Sequence, residues 1–319
     1  MFPRHREIRW ENENKWCTLL EVVGDKIITG WDKGQIKIYN KADLRCETVL
    51  PSTDGGGKVY CLQYSPAGLI AGYSDGNICF WNVDNKLLVE TFSIFTTEES
   101  KNDYENAHCM RWRGEKLVVG TNEGRVLIWA CNEADLSFNL ECEWNSKIPN
   151  IERIDLYENT LILLPASHLR LGFLYMYSLS GRRLRTISSS PGNLYAMVLQ
   201  GGHVIAGGNE KVLQVWKIDT GTIVKELEGH EDYITAVDVH DSLIVSGDRG
   251  GDIIIWSIKA ALEGKPEKIC TLADEYFEGI PRWGLKLGSN FLVRHCPESS
   301  KIVVMDFPNP PPEADNNRQ

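Results

Sequence analysis

From Gly229 to Ile258 the chain runs through three short apolar stretches. The first ends in a turn at His240 and Asp241, the second at Ser246 and Gly247, and the third closes on Trp256. Stretches of this length, rich in Val and Ile and bounded by Asp, Gly and His, read as strands joined by hairpins. Three hairpinned strands make a poor independent unit, and the rest of the chain repeats them.

The third stretch recurs at Gln35 to Asn40, Asn77 to Asn82, Arg125 to Ala130 and Val212 to Lys217, with weaker copies ending at Tyr177 and lying around Met305. The aligned residues Tyr39, Trp81, Trp129, Tyr177, Trp216, Trp256 and Met305 are separated by 42, 48, 48, 39, 40 and 49 residues. Seven units of this period, each with several short strands, predict an all-β, seven-bladed β-propeller over residues 1–309. Residues 310–319 read as a disordered tail. Prolines follow Phe307 and cannot donate to a ladder, so the seventh unit lacks a fourth strand of its own. Arg6 to Trp10 is expected to supply it beside Lys301 to Phe307, closing the ring.

At Gly229-His230 and Trp256 the sequence resembles the WD-repeat family, and the resemblance covers nearly the whole chain. It implies a hydrogen-bonded His, Ser or Thr, Asp and Trp tetrad in a fully formed blade. Thr29 and Ser246 match the hydroxyl position and Asp75 the turn aspartate. Glu123 and Glu210 come near and Lys33 and Gly250 depart, so no unit is expected to carry all four. Second strands such as those in HDSLIVSG and RGEKLVVG resemble the propellers of F-box/WD-repeat ubiquitin-ligase receptors. That likeness implies a substrate-receptor role, and Trp256-Ser257-Ile258-Lys259 partly matches a W-x-x-[R/K] element for a cullin-ligase adaptor. The residues before Arg6 are too few for an F-box, so either a ligase-binding part is missing from this chain or the receptor role does not apply.

The formal net charge of -10 turns the expected partner away from nucleic acid and toward other proteins, a basic segment among them. Nine cysteines make an odd count without CxxC spacing. Cys17, Cys61 and Cys109 are aligned at one repeat position, where Ala196 and Ala236 stand in other units, and read as small core residues. With no signal peptide, no apolar run of about 18 residues and no N-x-S/T sequon, the expected setting is intracellular, cytoplasmic or nuclear, with no membrane partner.

Catalytic and metal-binding signatures are missing from the sequence. There is no G-x-S-x-G, no H-E-x-x-H and no paired Cys-His spacing, so the expectation is a non-enzyme without cofactor or metal. The GGGK of the loop at 51–58 continues into Val59, where a phosphate loop needs Ser or Thr, and reads as an inter-blade linker. Candidate chemistry lies instead where loops enter the inner strands. The aligned residues there are Trp16, Tyr60, His108, Glu152, Tyr195 and Thr235, joined by Trp31, Tyr73, Asn122 and Arg249 from the turns after the second strands. Aromatic residues at a loop face anchor partners because they bury much area at little entropic cost. With Glu98, Glu99, Asp103 and Glu105 nearby, this mouth is expected to hold a protein or peptide segment. The alternative is a chromatin or signalling adaptor whose aromatic cage takes basic or methylated segments, with a propeller enzyme as a minor third.

Overall fold

The computed structural model describes residues 4–10, 17–52, 57–65, 67–95, 105–132, 136–166, 172–188, 192–263, 268–272, 280, 284–297 and 299–307. Seven antiparallel four-stranded sheets form the blades of a seven-bladed β-propeller. In blades one to six the strands follow chain order from inner to outer edge. Blade one shows the pattern, with strands Cys17–Val23, Lys26–Trp31, Ile36–Asn40 and Cys46–Leu50, the third within one residue of the Gln35 to Asn40 stretch read from the sequence. The chain divides into two compact units. One comprises residues 15–169 and 173–187, with blades one to four; the other comprises 1–14, 170–172 and 188–319, with blades five to seven. Among the described residues no helix is long and apolar enough to cross a membrane. The expected tail at 310–319 lies outside the described residues.

All six full-length inner strands break register at the same place. Pairing skips one residue between Cys17 and Leu19, Val59 and Cys61, Ala107 and Cys109, Ile151 and Arg153, Leu194 and Ala196, and Ile234 and Ala236. A bulge leaves a backbone group without a ladder partner, and a buried carbonyl must find another donor. Here the donor is a side chain of the preceding blade. Thr18 Oγ1 donates to the Val59 carbonyl at 2.8 Å, Cys61 Sγ to that of Ala107 at 3.1 Å and Cys109 Sγ to that of Ile151 at 3.2 Å. In the second unit Thr235 Oγ1 donates to the carbonyl of Ile280.

These contacts correct the expected cysteine alignment. Cys17 sits two residues ahead of Cys61 and Cys109, which align with Leu19. They also give the buried thiols a purpose beyond filling space, as small donors that fit between two blades. Burial pushes the Cys61 and Cys109 thiols well above the ordinary value and Cys17 up to about 12, so all three stay protonated.

The same seam demands space. A Cβ on Gly30 would stand 2.9 Å from Val59, one on Gly120 3.0 Å from Ile151, one on Gly207 2.8 Å from Ile234 and one on Gly247 2.5 Å from Ile280. At Gly72 it would meet Cys61 Sγ at 2.6 Å and the Ala107 Cβ at 2.9 Å. Each glycine sits in a second strand and admits the first residue of the next inner strand, or, at Gly247, a residue ahead of the inner strand of blade seven. The position lacks glycine in blades four and seven, where it is Leu164 and His295. These are the last blades of the two units.

Blade seven is completed as the sequence predicts. Arg4–Arg9 pairs antiparallel with Lys301–Asp306, and Arg6 to Asp306 at 2.8 Å and Lys301 to Glu7 at 3.1 Å fasten the pairing. The blade departs inside: its inner strand, Leu285–Leu287, is three residues long, and buried Arg294 stands where blades one and six have Thr29 and Ser246. His295 is buried beside Trp10, ring centroids 6.0 Å apart, and burial pulls its pKa down to about 4.

Two consequences can be measured. Gly72→Ala should lose about 1–3 kcal/mol in urea unfolding, the cost of overpacking, and Cys61→Ala in the same chain should restore part of it by removing the nearest atom. His295 is neutral in the fold and protonates near the ordinary value of about 6.5 when unfolded. Its folded pKa being the lower one, the unfolded chain binds more protons between pH 6.5 and 4, so stability is full above that window and falls on acidification. The depressed pKa corresponds to on the order of 3 kcal/mol. His295→Leu, with the residue blade four uses at this position, should flatten the pH dependence of unfolding between pH 7 and 4.

Candidate functional site

The residue each bulge pushes out of the ladder is Thr18, Tyr60, His108, Glu152, Tyr195 or Thr235. Five of these six are the residues read from the sequence as the start of the inner strands. In blade one the equivalent is Thr18 rather than Trp16, and Trp16 lies outside the described residues. Thr18 and Thr235 serve the seams, whereas Tyr60, His108, Glu152 and Tyr195 are half-buried. A bulge re-aims a side chain away from the sheet's regular faces, which makes these positions available for contact.

In the first unit three of them form a cluster. The rings of Tyr60 and His108 lie 5.3 Å apart, tilted by 34°, and Lys58 Nζ stands 4.9 Å from the Tyr60 ring centre. His108 Nδ1 is 3.2 Å from Asn106 Oδ1, and Asn122 Oδ1 accepts the Asn106 amide at 2.9 Å. Burial lowers the His108 pKa; Glu152 opposes the shift, and Arg153 and Lys58 add to it. The imidazole is therefore neutral at pH 7, able to donate through one nitrogen and accept through the other. The patch combines an aromatic ledge, an imidazole, a carboxylate and two cations. It suits hydrogen bonding and packing against an extended segment.

In the second unit Tyr195 lies 6.2 Å from Tyr233, and the Arg249 amide donates to the Tyr233 carbonyl at 2.9 Å. Arg249 is exposed. Tyr233 was not among the residues read from the sequence, although it immediately precedes an inner strand as Lys58 precedes Val59. Its 36% exposure makes it the most open ring of this group.

Trp31 and Tyr73 belong to the core. Both have 0% exposure because they end second strands, opposite Cys17 and Val59, and do not lie in the turns. Structurally they align with Asp248, one residue before the positions of Asn122 and Arg249. Trp31 Nε1 donates to Thr29 Oγ1 at 2.9 Å, and Lys37 Nζ covers its ring at 4.5 Å. Glu105 is also withdrawn: it is buried and paired with Arg125 at 3.1 Å. Glu98, Glu99 and Asp103 lie outside the described residues.

The same shift of alignment hid a complete tetrad. In blade six His230 Nδ1 donates to Asp248 Oδ2 at 2.9 Å, Ser246 Oγ lies 2.6 Å from His230 Nε2, and Trp256 Nε1 donates to Ser246 Oγ at 2.8 Å. The aspartate is Asp248 at the end of the second strand, two residues before Gly250, the position at which the repeat alignment expects it. Asp75, expected to be its counterpart, folds its own turn by accepting the Asn77 amide at 3.0 Å. Asp, His and Ser in this order resemble a nucleophilic triad, which needs its hydroxyl open to substrate. Ser246 has 0% exposure and its oxygen already accepts from Trp256, so this constellation holds strands together. Among the described residues no group of three or more His, Cys, Asp or Glu is placed to hold a metal ion.

The geometry thus defines a propeller whose blade six is locked by the full tetrad of the WD repeat. The family model "WD domain, G-beta repeat" matches residues 44–82 and 221–257. In these two stretches the chain matches WD repeats, and its fold is that of a WD-repeat β-propeller. It is 27% identical over 149 residues to the Periodic tryptophan protein 2 homolog of Caenorhabditis elegans, covering 46% of this chain and 16% of that protein. Against Cilia- and flagella-associated protein 52 of Sus scrofa it is 22% identical over 246 residues, 73% of this chain and 37% of that one. It therefore spans well under half the length of these curated relatives. The crystal structure of the WD40 beta propeller domain of Doa1 superposes with a TM-score of 0.72 at 14% identity, covering 96% of both chains. The computationally designed Ika8 protein gives 0.66 at 17% identity, over 94% of this chain and 98% of that one.

Burial works to raise the Asp248 pKa, but the hydrogen bond and charge of His230, with the amides of Asp252 and Gly251, outweigh it and hold the carboxyl below its ordinary value. A folded pKa below the unfolded one contributes stability that is full above about pH 3.9 and is lost as pH falls through the folded value. Asp248→Asn should therefore cost about 1–3 kcal/mol at pH 7. In urea unfolding at pH 7, 4 and 3, the gap from the unmodified protein should close only below pH 4.

Proposed function

We propose that this chain is a non-catalytic interaction scaffold that holds an extended protein segment across the bulge residues of blades two to four, with Tyr60, His108 and Glu152 as contacts. One observation carries the reading. At the same bulge position Thr18 and Thr235 are spent on the seams, whereas Tyr60, His108 and Glu152 stand half-buried beside one another. Tyr195, Tyr233 and Arg249 form a second contact group by the same reasoning.

The segment is read through hydrogen bonds and packing rather than as a methylated or basic side chain in an aromatic cage. Tyr60 and Trp31 already carry Lys58 and Lys37 over their rings, and a second cation would meet like charge. A cullin-adaptor contact through Trp256 to Lys259 has little to offer either. Trp256 is buried and committed to Ser246, and Ser257 Oγ accepts the Ala260 amide at 3.2 Å in the short helix Ile258–Glu263. The ubiquitin-ligase receptor role expected from the sequence finds no further support in the names of the relatives.

The test is quantitative capture from cell extract with Tyr60→Ala/Glu152→Gln, its melting temperature first matched to the unmodified protein. Loss of two interface anchors should reduce specific partners by about tenfold or more. Unchanged recovery of every partner would overturn the assignment of this surface.

A further inference from the structure

The chain carries 44 Asp and Glu in 319 residues, so a stretch of 51 would hold about seven at the average density (51 × 44/319). Residues 159–209 hold none. They carry no Lys and four Arg, at 170, 182, 183 and 185. With +4 here, the remainder of the chain carries -14, since the whole sums to -10. The fold gathers three of these arginines at one place. Arg182 lies in the last turn of blade four, and Arg183 and Arg185 in its outer strand, Arg183–Ser188.

That strand ends the sheet, so one of its sides has no neighbour within the blade. Its first four residues and Arg182 are exposed, with Leu184 at 44%. Arg183 is held along the surface, its guanidinium 4.7 Å from the Tyr175 ring centre and its Nε and a terminal nitrogen donating to Thr186 Oγ1 at 3.1 and 2.6 Å. The outer strands of blades one, two, three and five each include a glutamate. The added strand of blade seven is also rich in arginine, but Arg6 is paired with Asp306 and Arg9 with Glu7. Blade four alone combines several arginines with no acid in its outer strand or in the third strand beside it, Phe173–Ser178.

We propose that the outer strand of blade four is a docking edge for an acidic extended polypeptide, which adds as a fifth strand and sets its carboxylates against Arg182, Arg183 and Arg185. Charged residues on an edge commonly serve to prevent pairing. Arginines of one sign do so selectively: they repel a second copy of the same edge and every basic strand, and attract an acidic one. A polypeptide fits better than a nucleic acid because the outer side of an edge strand presents backbone N–H and C=O groups, which another extended backbone matches. The surface is separate from the bulge cluster, and the two can be occupied independently.

The test uses the full chain and a labelled peptide of alternating Glu and Val, about seven residues long, read by fluorescence anisotropy at two salt concentrations. Saturable binding that weakens with salt is expected. Arg183→Glu/Arg185→Glu should weaken it by about tenfold or more, while Lys86→Glu/Lys147→Glu, with the same change of net charge, leaves it intact. N-methylation of alternate residues in the peptide should abolish binding. The proposal is overturned if the peptide does not bind, if both double variants bind alike, if the N-methylated peptide binds as well as its parent, or if a single-stranded oligonucleotide binds through these arginines while the peptide does not.

Discussion

At five of the blade-to-blade seams the residue at or just ahead of the start of an inner strand meets two demands that fix how one blade follows another. Its side chain, as Val59, Ala107, Ile151, Ile234 or Ile280, fills the hollow left by a glycine in the preceding blade. Where the preceding blade offers a donor, the carbonyl of the same residue accepts a hydroxyl or thiol from it. The bulge makes this possible by releasing that carbonyl from the ladder of its own blade. Packing and polar satisfaction then fail or succeed together at one position. A larger side chain at the glycine pushes the next strand outward and lengthens the hydrogen bond to its carbonyl. This coupling suits a repeat architecture, in which each unit is stabilised chiefly by its neighbours.

Against that seam the family's tetrad is a local reinforcement. Blade six has all four members, and its Ser246 and His230 are buried with every polar atom engaged. Blade one keeps Thr29 but satisfies it with Trp31 from the same strand. Blade two has Ala71 at the hydroxyl position, with Tyr73 and Trp81 filling the space beside it. The blades tolerate these exchanges because the tetrad stiffens a sheet that the seams and the hydrophobic cores already hold. Those cores are built largely from adjacent blades, as where Ile28 and Ile38 pack with Val59, Leu69 and Trp81.

The architecture was legible because periodicity survives the loss of individual markers. The seven-unit period, the third strand of blade one and the amino-terminal strand of blade seven follow from apolar runs, prolines and turn residues. The site was legible only in part, for one physical reason. Apolar runs mark the middle of a strand and leave its last residues unmarked, so alignment by runs slips by one or two positions at the ends of strands. That slip put Trp16 in place of Thr18, Cys17 beside Cys61, Trp31 and Tyr73 in turns, and the aspartate of blade six at Gly250 instead of Asp248. Burial of the two aromatics could not be read from their identity, because Trp and Tyr serve equally well as core and as contact.

The distribution of charge decides which readings of the surface survive. Overall acidity points to basic partners, yet the aromatic rings of the first unit are covered by Lys37 and Lys58, and Glu105 is neutralised by Arg125. Screening confines surface electrostatics to about 8–10 Å at physiological salt, so a partner responds to the local pattern and hardly to the total of -10. A residue such as Glu152 then matters through what stands within its own reach, as His108 does. On a propeller this locality is reinforced by the fold itself, since each blade presents a separate edge and each bulge a separate side chain. Different partners can be recognised by different blades without competing for one electrostatic field.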